Sequence, residues 1–157
     1  ICEDDKIDLA LELIERAKEN NVALHLPTDV VAAENFNNEA NKKELQIFNI
    51  TPGWQGLDIG PASIKAFSKV IINAKTILWN GPMGVFEMPN FSNGTKSIGD
   101  AIKISTNNGA YSLVGGGDSV SAVKEFGMDK DVSYVSTGGG AMLESLEGKT
   151  LPGIAAL

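Results

Sequence analysis

The chain has 157 residues, 43% of them apolar and 21% charged, the proportions of a globular domain with room for one sizeable core. With 13 basic residues against 20 acidic ones the net charge is −7, which argues against a surface built for nucleic acid or an anionic membrane. The lone cysteine, Cys2, excludes an internal disulfide, suits a reducing compartment, and reads as a small, partly buried apolar residue.

From the start, Asp4 and Asp5 precede an amphipathic helix with Ile7, Leu9, Ala10, Leu13, Ile14 and Ala17 apolar, stopped by Asn20-Asn21. Val22 to Leu26 predicts a buried strand ended by Pro27, with the only histidine, His25, inside it as a core or edge residue. Asp29 to Ala33 is a second short strand. Residues 34–44 are asparagine-rich and read as a surface loop, Gln46 to Ile50 as a weak third strand, and Thr51 to Gly60 as a turn-rich connection. Pro61 opens a helix to about Asn73, at the position where its missing N–H costs nothing. Thr76 to Trp79 is a strong strand, Asn80 to Pro89 a loop, and Gly94 to Ile104 a helix.

Two strand–glycine–helix units close the chain. Tyr111 to Val114 leads into Gly115-Gly116-Gly117, Asp118-Ser119 and a helix over Val120 to Phe126. Val132 to Val135 leads through Ser136-Thr137 into Gly138-Gly139-Gly140 and a helix over Ala141 to Leu146. Glycine admits a ligand close to the backbone, and the free N–H groups of the following helix attract an anion. Strands alternating with helices predict an α/β fold with a mainly parallel sheet. Right-handed crossovers would bring the loops 51–60, 80–89, 115–119 and 137–140 to one sheet edge. No apolar run approaches the roughly 20 residues of a membrane span. The opening Ile-Cys-Glu-Asp-Asp does not look like a secretory leader, and a start without methionine reads as a piece of a longer protein.

Candidate chemistry gathers at these loops. Asp118 beside the first glycine run is either a magnesium ligand shared with a phosphate or a helix cap, and spacing alone favours neither. Ser119 is a phosphate donor or a plain first-turn residue. Val85 and Phe86 could pack on a flat heterocycle with Glu87 accepting from sugar hydroxyls, or they form a buried plug. Leu57 has the same two readings, whereas Trp54 and Trp79 read as core or interface aromatics. There is no His/Cys cluster for zinc, no Ser/His/Asp arrangement, and no Walker-type Gly-x-x-x-x-Gly-Lys-Ser/Thr.

Six segments in order closely resemble phosphoglycerate kinase: Leu26 to Val31, Gly53 to Pro61, Trp79 to Glu87, Gly115 to Ser119, Ser136 to Ala141, and Leu146 to Gly153. The resemblance runs through essentially all of residues 1–157. It implies a Rossmann-like, three-layer α/β domain with helices on both faces of a mainly parallel sheet. The chain would be most of the C-terminal, nucleotide-binding domain, without the N-terminal domain that holds 3-phosphoglycerate. The implied reaction is reversible phosphoryl transfer between 1,3-bisphosphoglycerate and ADP, giving 3-phosphoglycerate and MgATP. The implied setting is a cytoplasmic, monomeric glycolytic enzyme of which this piece alone is inactive.

Position by position, Gly56 and Leu57 resemble one side of the adenine slot and Val85 the other, with Pro82 among the nucleotide contacts. Glu87 resembles the ribose-binding acid and Asn80 the asparagine near the phosphates. Asp118 resembles the Mg²⁺ ligand, and Gly116, Gly117 and Ser119 the nucleotide-phosphate loop. Gly138, Gly139 and Gly140 resemble the loop that closes on the transferring group. Met142 departs from the small residue usual there. Lysines of an opening strand and helix are missing too, which fits the acidic balance. The alternative readings are a non-catalytic nucleotide-binding module and a dinucleotide oxidoreductase, although the Gly-x-Gly-x-x-Gly of the latter is absent after the first strand.

Overall fold

The computed structural model describes residues 3–156, so the reading of Cys2 lies outside the described residues. In chain order the regular elements are α1 (Ile7–Glu19), β1 (Asp29–Ala33), β2 (Lys42–Gln46), β3 (Gln55–Ile59), α2 (Pro61–Ile72), β4 (Thr76–Asn80), α3 (Asn93–Asn107), β5 (Tyr111–Gly115), α4 (Gly117–Glu125), β6 (Tyr134–Val135), α5 (Gly139–Leu146) and α6 (Pro152–Ala155). The class is α/β and Rossmann-like, with β4, β5 and β6 parallel in that order.

Ile77 and Trp79 of β4 and Val114 of β5 point to one face of this sheet. There they share a core with Ile98 and Ile102 of α3 and Val123 of α4, and Ile64, Phe67 and Ile71 of α2 pack alongside. On the opposite face Leu78 is 43% exposed and Tyr111 and Tyr134 more than half. The amphipathic helix of the sequence forms as α1, but none of its residues is buried.

The first half differs from expectation. Beside the parallel sheet stands an antiparallel one, order β2-β1-β3, with a bulge between Val31 and Ala32. Its third member, β3, lies within the stretch expected to be only a connection. Thr51-Pro52-Gly53-Trp54 is a tight turn, closed by the Trp54 N–H on the Thr51 carbonyl at 3.0 Å with Gly53 at φ +83°. Those breakers therefore punctuate the chain just before a strand. The weak strand expected at Gln46 to Ile50 is displaced: Lys42–Gln46 pairs with β1, and Ile47–Asn49 is a 3₁₀ turn. Its Lys-Lys-Glu sequence suits an edge, where charge discourages further pairing. Val22 to Leu26 is exposed and joins no ladder, so His25 is a surface residue and not a core one. An apolar pattern makes a buried strand only where neighbours hydrogen-bond to it, and the described residues supply none.

Asp29 at the head of β1 locks the antiparallel unit to α2. Its carboxylate accepts from the N–H groups of Ala62 (2.8 Å) and Ser63 (2.7 Å) and from the Ser63 hydroxyl (2.5 Å), filling the donors that a helix start leaves open. Burial raises its pKa, but these bonds outweigh that and hold it below the ordinary aspartate value. The stabilisation is thus present above that value and lost as acid protonates the group. Gly60 has no side chain because a Cβ would overlap Asp29.

Candidate functional site

Strand register brings the site together. Asn80 at the end of β4 pairs with Gly115 at the end of β5, and Val114 pairs with Val135 of β6. Because the three strands are parallel, the loops after all of them leave the same edge of the sheet, the edge at which such sheets bind ligands. Loop 51–60 does not join them as a loop, since it contains β3.

The first glycine run ends β5 and starts α4. Gly116 has φ +85° and N-caps the helix, and a Cβ on it would overlap Asn80 Oδ1. Gly117 opens the helix, and apart from its chain neighbours and the helix's own backbone nothing lies within 4 Å of where a Cβ would stand. Its missing side chain relieves nothing inside the protein, but it leaves the first-turn N–H groups open to a ligand. Asp118 is exposed in that turn, and the N-cap position is held by Gly116, not by Asp118. Ser119 is fully buried, and its hydroxyl accepts the Gly81 N–H at 2.6 Å. It braces the glycine run against the loop after β4. Trp79 holds the other side of Gly81, donating its indole N–H to the Gly81 carbonyl at 2.8 Å.

The second run follows β6. Ser136 donates its N–H to Val114, and Gly138 N-caps α5. At Gly138 and Gly140, as at Gly117, a Cβ would meet nothing. Gly139 lies with them as the first residue of α5. Met142 lies over Gly115 so closely that a Cβ there would overlap its methyl, and so it packs α5 onto the first run.

A cleft of about 310 Å³ lies between β3 and the loop after β4, lined by Val30, Gly56, Leu57, Pro82 and Val85. Its two walls are joined by the Val85 N–H on the Leu57 carbonyl at 2.8 Å. Glu87 is exposed two residues beyond Val85. Phe86 and Leu57 are both almost wholly buried, at 4% and 5% exposed: Phe86 packs edge-on against Phe126, ring centroids 6.4 Å apart, away from the cleft, whereas Leu57 packs on Ala33 and Phe91 and still borders it. The two tryptophans also stay out of the cleft. Trp79 is core, and Trp54 carries the Lys43 ammonium 3.7 Å from its ring centroid. His25 faces a different, apolar groove of about 320 Å³ beside β4 and α2.

Sequence reasoning missed the supports of the cleft. Asp58 is 4% exposed, and burial pushes its carboxyl up to about 6 against the pull of two N–H donors, Gly94 and Ile59. Thr95, fully buried, accepts from the N–H groups of Met83 (3.0 Å) and Gly84 (3.2 Å). The signal was an acid between two apolar residues in Leu57-Asp58-Ile59, a placement that calls for buried donors.

Among the described residues no three His, Cys, Asp or Glu side chains are grouped to hold a metal. An all-protein cage is thereby absent there. An exposed lone carboxylate next to free N–H groups fits the other kind of divalent site, in which Mg²⁺ takes one carboxylate and completes its shell with phosphate and water.

The sequence pattern of the phosphoglycerate kinase family matches residues 1–149. Phosphoglycerate kinase of Porphyromonas gingivalis is 57% identical over all 157 residues, which make up 38% of that protein. The enzyme of Prochlorococcus marinus is 53% identical over the same span, 39% of its length. A solved phosphoglycerate kinase of Coxiella burnetii superposes with a TM-score of 0.93 at 44% identity, covering 98% of this chain and 39% of that one. The chain thus spans well under half the length of the relatives it matches. No described helix is long and apolar enough to cross a membrane.

Proposed function

The chain belongs to the phosphoglycerate kinase family, and on that premise we propose that residues 1–157 form most of the nucleotide-binding domain of a phosphotransferase. The reaction is reversible transfer between 1,3-bisphosphoglycerate and ADP, giving 3-phosphoglycerate and ATP. The observation that carries this reading is the pair of glycine runs at one sheet edge, open at Gly117, Gly138 and Gly140, next to a cleft walled by Leu57 and Val85.

Gly56, Leu57, Pro82 and Val85 sandwich the adenine, and Glu87 accepts from the ribose hydroxyls. The backbone N–H groups of Gly116 and Gly117, with Asn80 alongside, receive the nucleotide phosphates. Ser119 serves that loop from below through Gly81. Gly138, Gly139 and Gly140 present a second helix start to the phosphoryl group in transit. Asp118 holds Mg²⁺, which when bound neutralises phosphate charge. Phosphoryl transfer asks mainly for in-line positioning and charge stabilisation, so backbone donors suffice and no general base is needed from this domain. The 3-phosphoglycerate is held by a domain outside these residues. On the same reading the whole enzyme is a cytoplasmic monomer without nucleic-acid or membrane partners; within these 157 residues the net charge of −7 is in keeping with the absence of polyanionic partners.

A coupled assay separates the two parts of this reading. A full-length protein containing these residues should turn over 3-phosphoglycerate with MgATP, and the 157-residue chain alone should give no turnover above background. Turnover by the chain alone near the full-length rate would contradict the division of the site between domains.

A further inference from the structure

The Pro82–Val85 wall of the cleft is not held by its own loop alone. Its N–H groups at Met83 and Gly84 end on the Thr95 hydroxyl, in the first turn of α3. The residue before, Gly94, donates its N–H to Asp58 Oδ2 at 2.7 Å, while Oδ1 accepts from Ile59 at 2.9 Å. Asp58 adjoins Leu57, the opposite wall. The carboxylate is wedged: a Cβ on either Gly84 or Gly94 would overlap Oδ1, and at Gly84 it would also meet the Phe91 carbonyl oxygen at 2.6 Å. Besides the direct bond from the Val85 N–H to the Leu57 carbonyl, a second chain of contacts therefore runs from Leu57 through Asp58, Gly94 and Thr95 to Gly84 and Val85.

We propose that Asp58 is a positioning residue that fixes the spacing of the Leu57 and Val85 walls through the first turn of α3. The proposal rests on the reading of this cleft as the base slot. Asp58 is the charged acceptor in the chain and sits at the positive end of α3, so its hold depends on its charge. Burial already works against that charge, and protonation near pH 6 weakens the anchor. The slot should loosen as pH falls through that value. Charged groups on the surrounding elements are Asp29 of β1, Lys42, Lys43 and Glu44 of β2, Glu87 of the loop, and Lys96, Asp100 and Lys103 of α3, the last paired with Asp131. The three from β2 share a cavity of about 440 Å³ with Asp58, but Lys42 is bonded to Asn90 and Lys43 lies over Trp54.

The test uses adenosine, which has no phosphate to titrate, followed by NMR on the full-length protein. Wild-type affinity should fall about tenfold between about pH 8 and about pH 5, the loss of one charge-assisted hydrogen bond. Asp58→Asn sets an amide NH₂ against one of two N–H donors, so it should bind about tenfold more weakly than wild type at about pH 8. It should also show no change with pH. Equal, pH-independent binding by both proteins would overturn the proposal and leave the slot standing. Absence of adenosine binding by the wild type at any pH would overturn the slot as well. Should Asp58→Asn fail to fold, the wild-type profile decides alone, and a flat one overturns the proposal.

Discussion

Replacing Gly117 by alanine is expected to leave the fold at least as stable as before and to weaken MgADP binding about a hundredfold. The two halves of that expectation have separate causes. Gly117 begins α4 without a positive φ, and an added Cβ meets nothing within 4 Å beyond its chain neighbours and its own helix backbone. Alanine is the better helix former by up to about 1 kcal/mol, so the melting temperature should hold or rise slightly. The same Cβ, however, stands where a phosphate approaches the first-turn N–H groups. Losing two such charge-assisted bonds costs about 3 kcal/mol, or a hundredfold. Gly116→Ala is the contrasting case. It combines a φ of +85° with an overlap on Asn80, and it should lower stability by about 2 kcal/mol as well as binding. Unchanged MgADP affinity in a folded Gly117→Ala protein would remove this run from the phosphate site.

The second large effect is at Asp118. In the full-length protein Asp118→Ala should reduce phosphoryl transfer about a thousandfold and abolish its response to Mg²⁺, in line with the loss of a metal that stabilises transferring charge. Stability should not change, because the side chain is exposed and does not hold the N-cap position. A residue that merely capped α4 would behave in the opposite way. Its removal would cost about 1 kcal/mol of stability and leave Mg²⁺ dependence intact. Kinetics against Mg²⁺ concentration together with urea unfolding distinguish the two.

Much of this site is local, which is why it could be read from residues. A short apolar run, a glycine run and a helix start form one continuous piece of chain at 111–125, and again at 134–146. Both appear within a few residues of expectation. The parallel pairing that levels Asn80 with Gly115 follows from strand–helix–strand alternation, which sequence spacing already shows. The misreadings are all non-local. Gln55–Ile59 is a strand because Val30 to Ala33 pairs with it across a bulge, and its own glycines disguise it. Val22 to Leu26 has the composition of a buried strand but no described partner. Phe86, left open between stacking on a ligand and a buried plug, is the plug: it is claimed by Phe126 from 40 positions further along, a contact that no local pattern announces. Asp58 was visible as an anomaly, yet its donor at Gly94 lies in another element.

The central claim is that the two walls and the first glycine run hold one Mg-nucleotide. An NMR titration of the folded chain with MgADP, labelled at glycine, tests it most directly. The resonances of Gly56, Gly84, Gly116 and Gly117 should move together on one binding curve, weaken in affinity when Mg²⁺ is withdrawn, and leave Gly148 and Gly153 unmoved. Saturating MgADP that shifts none of the first four, or NADH binding where ADP does not bind, would contradict the account.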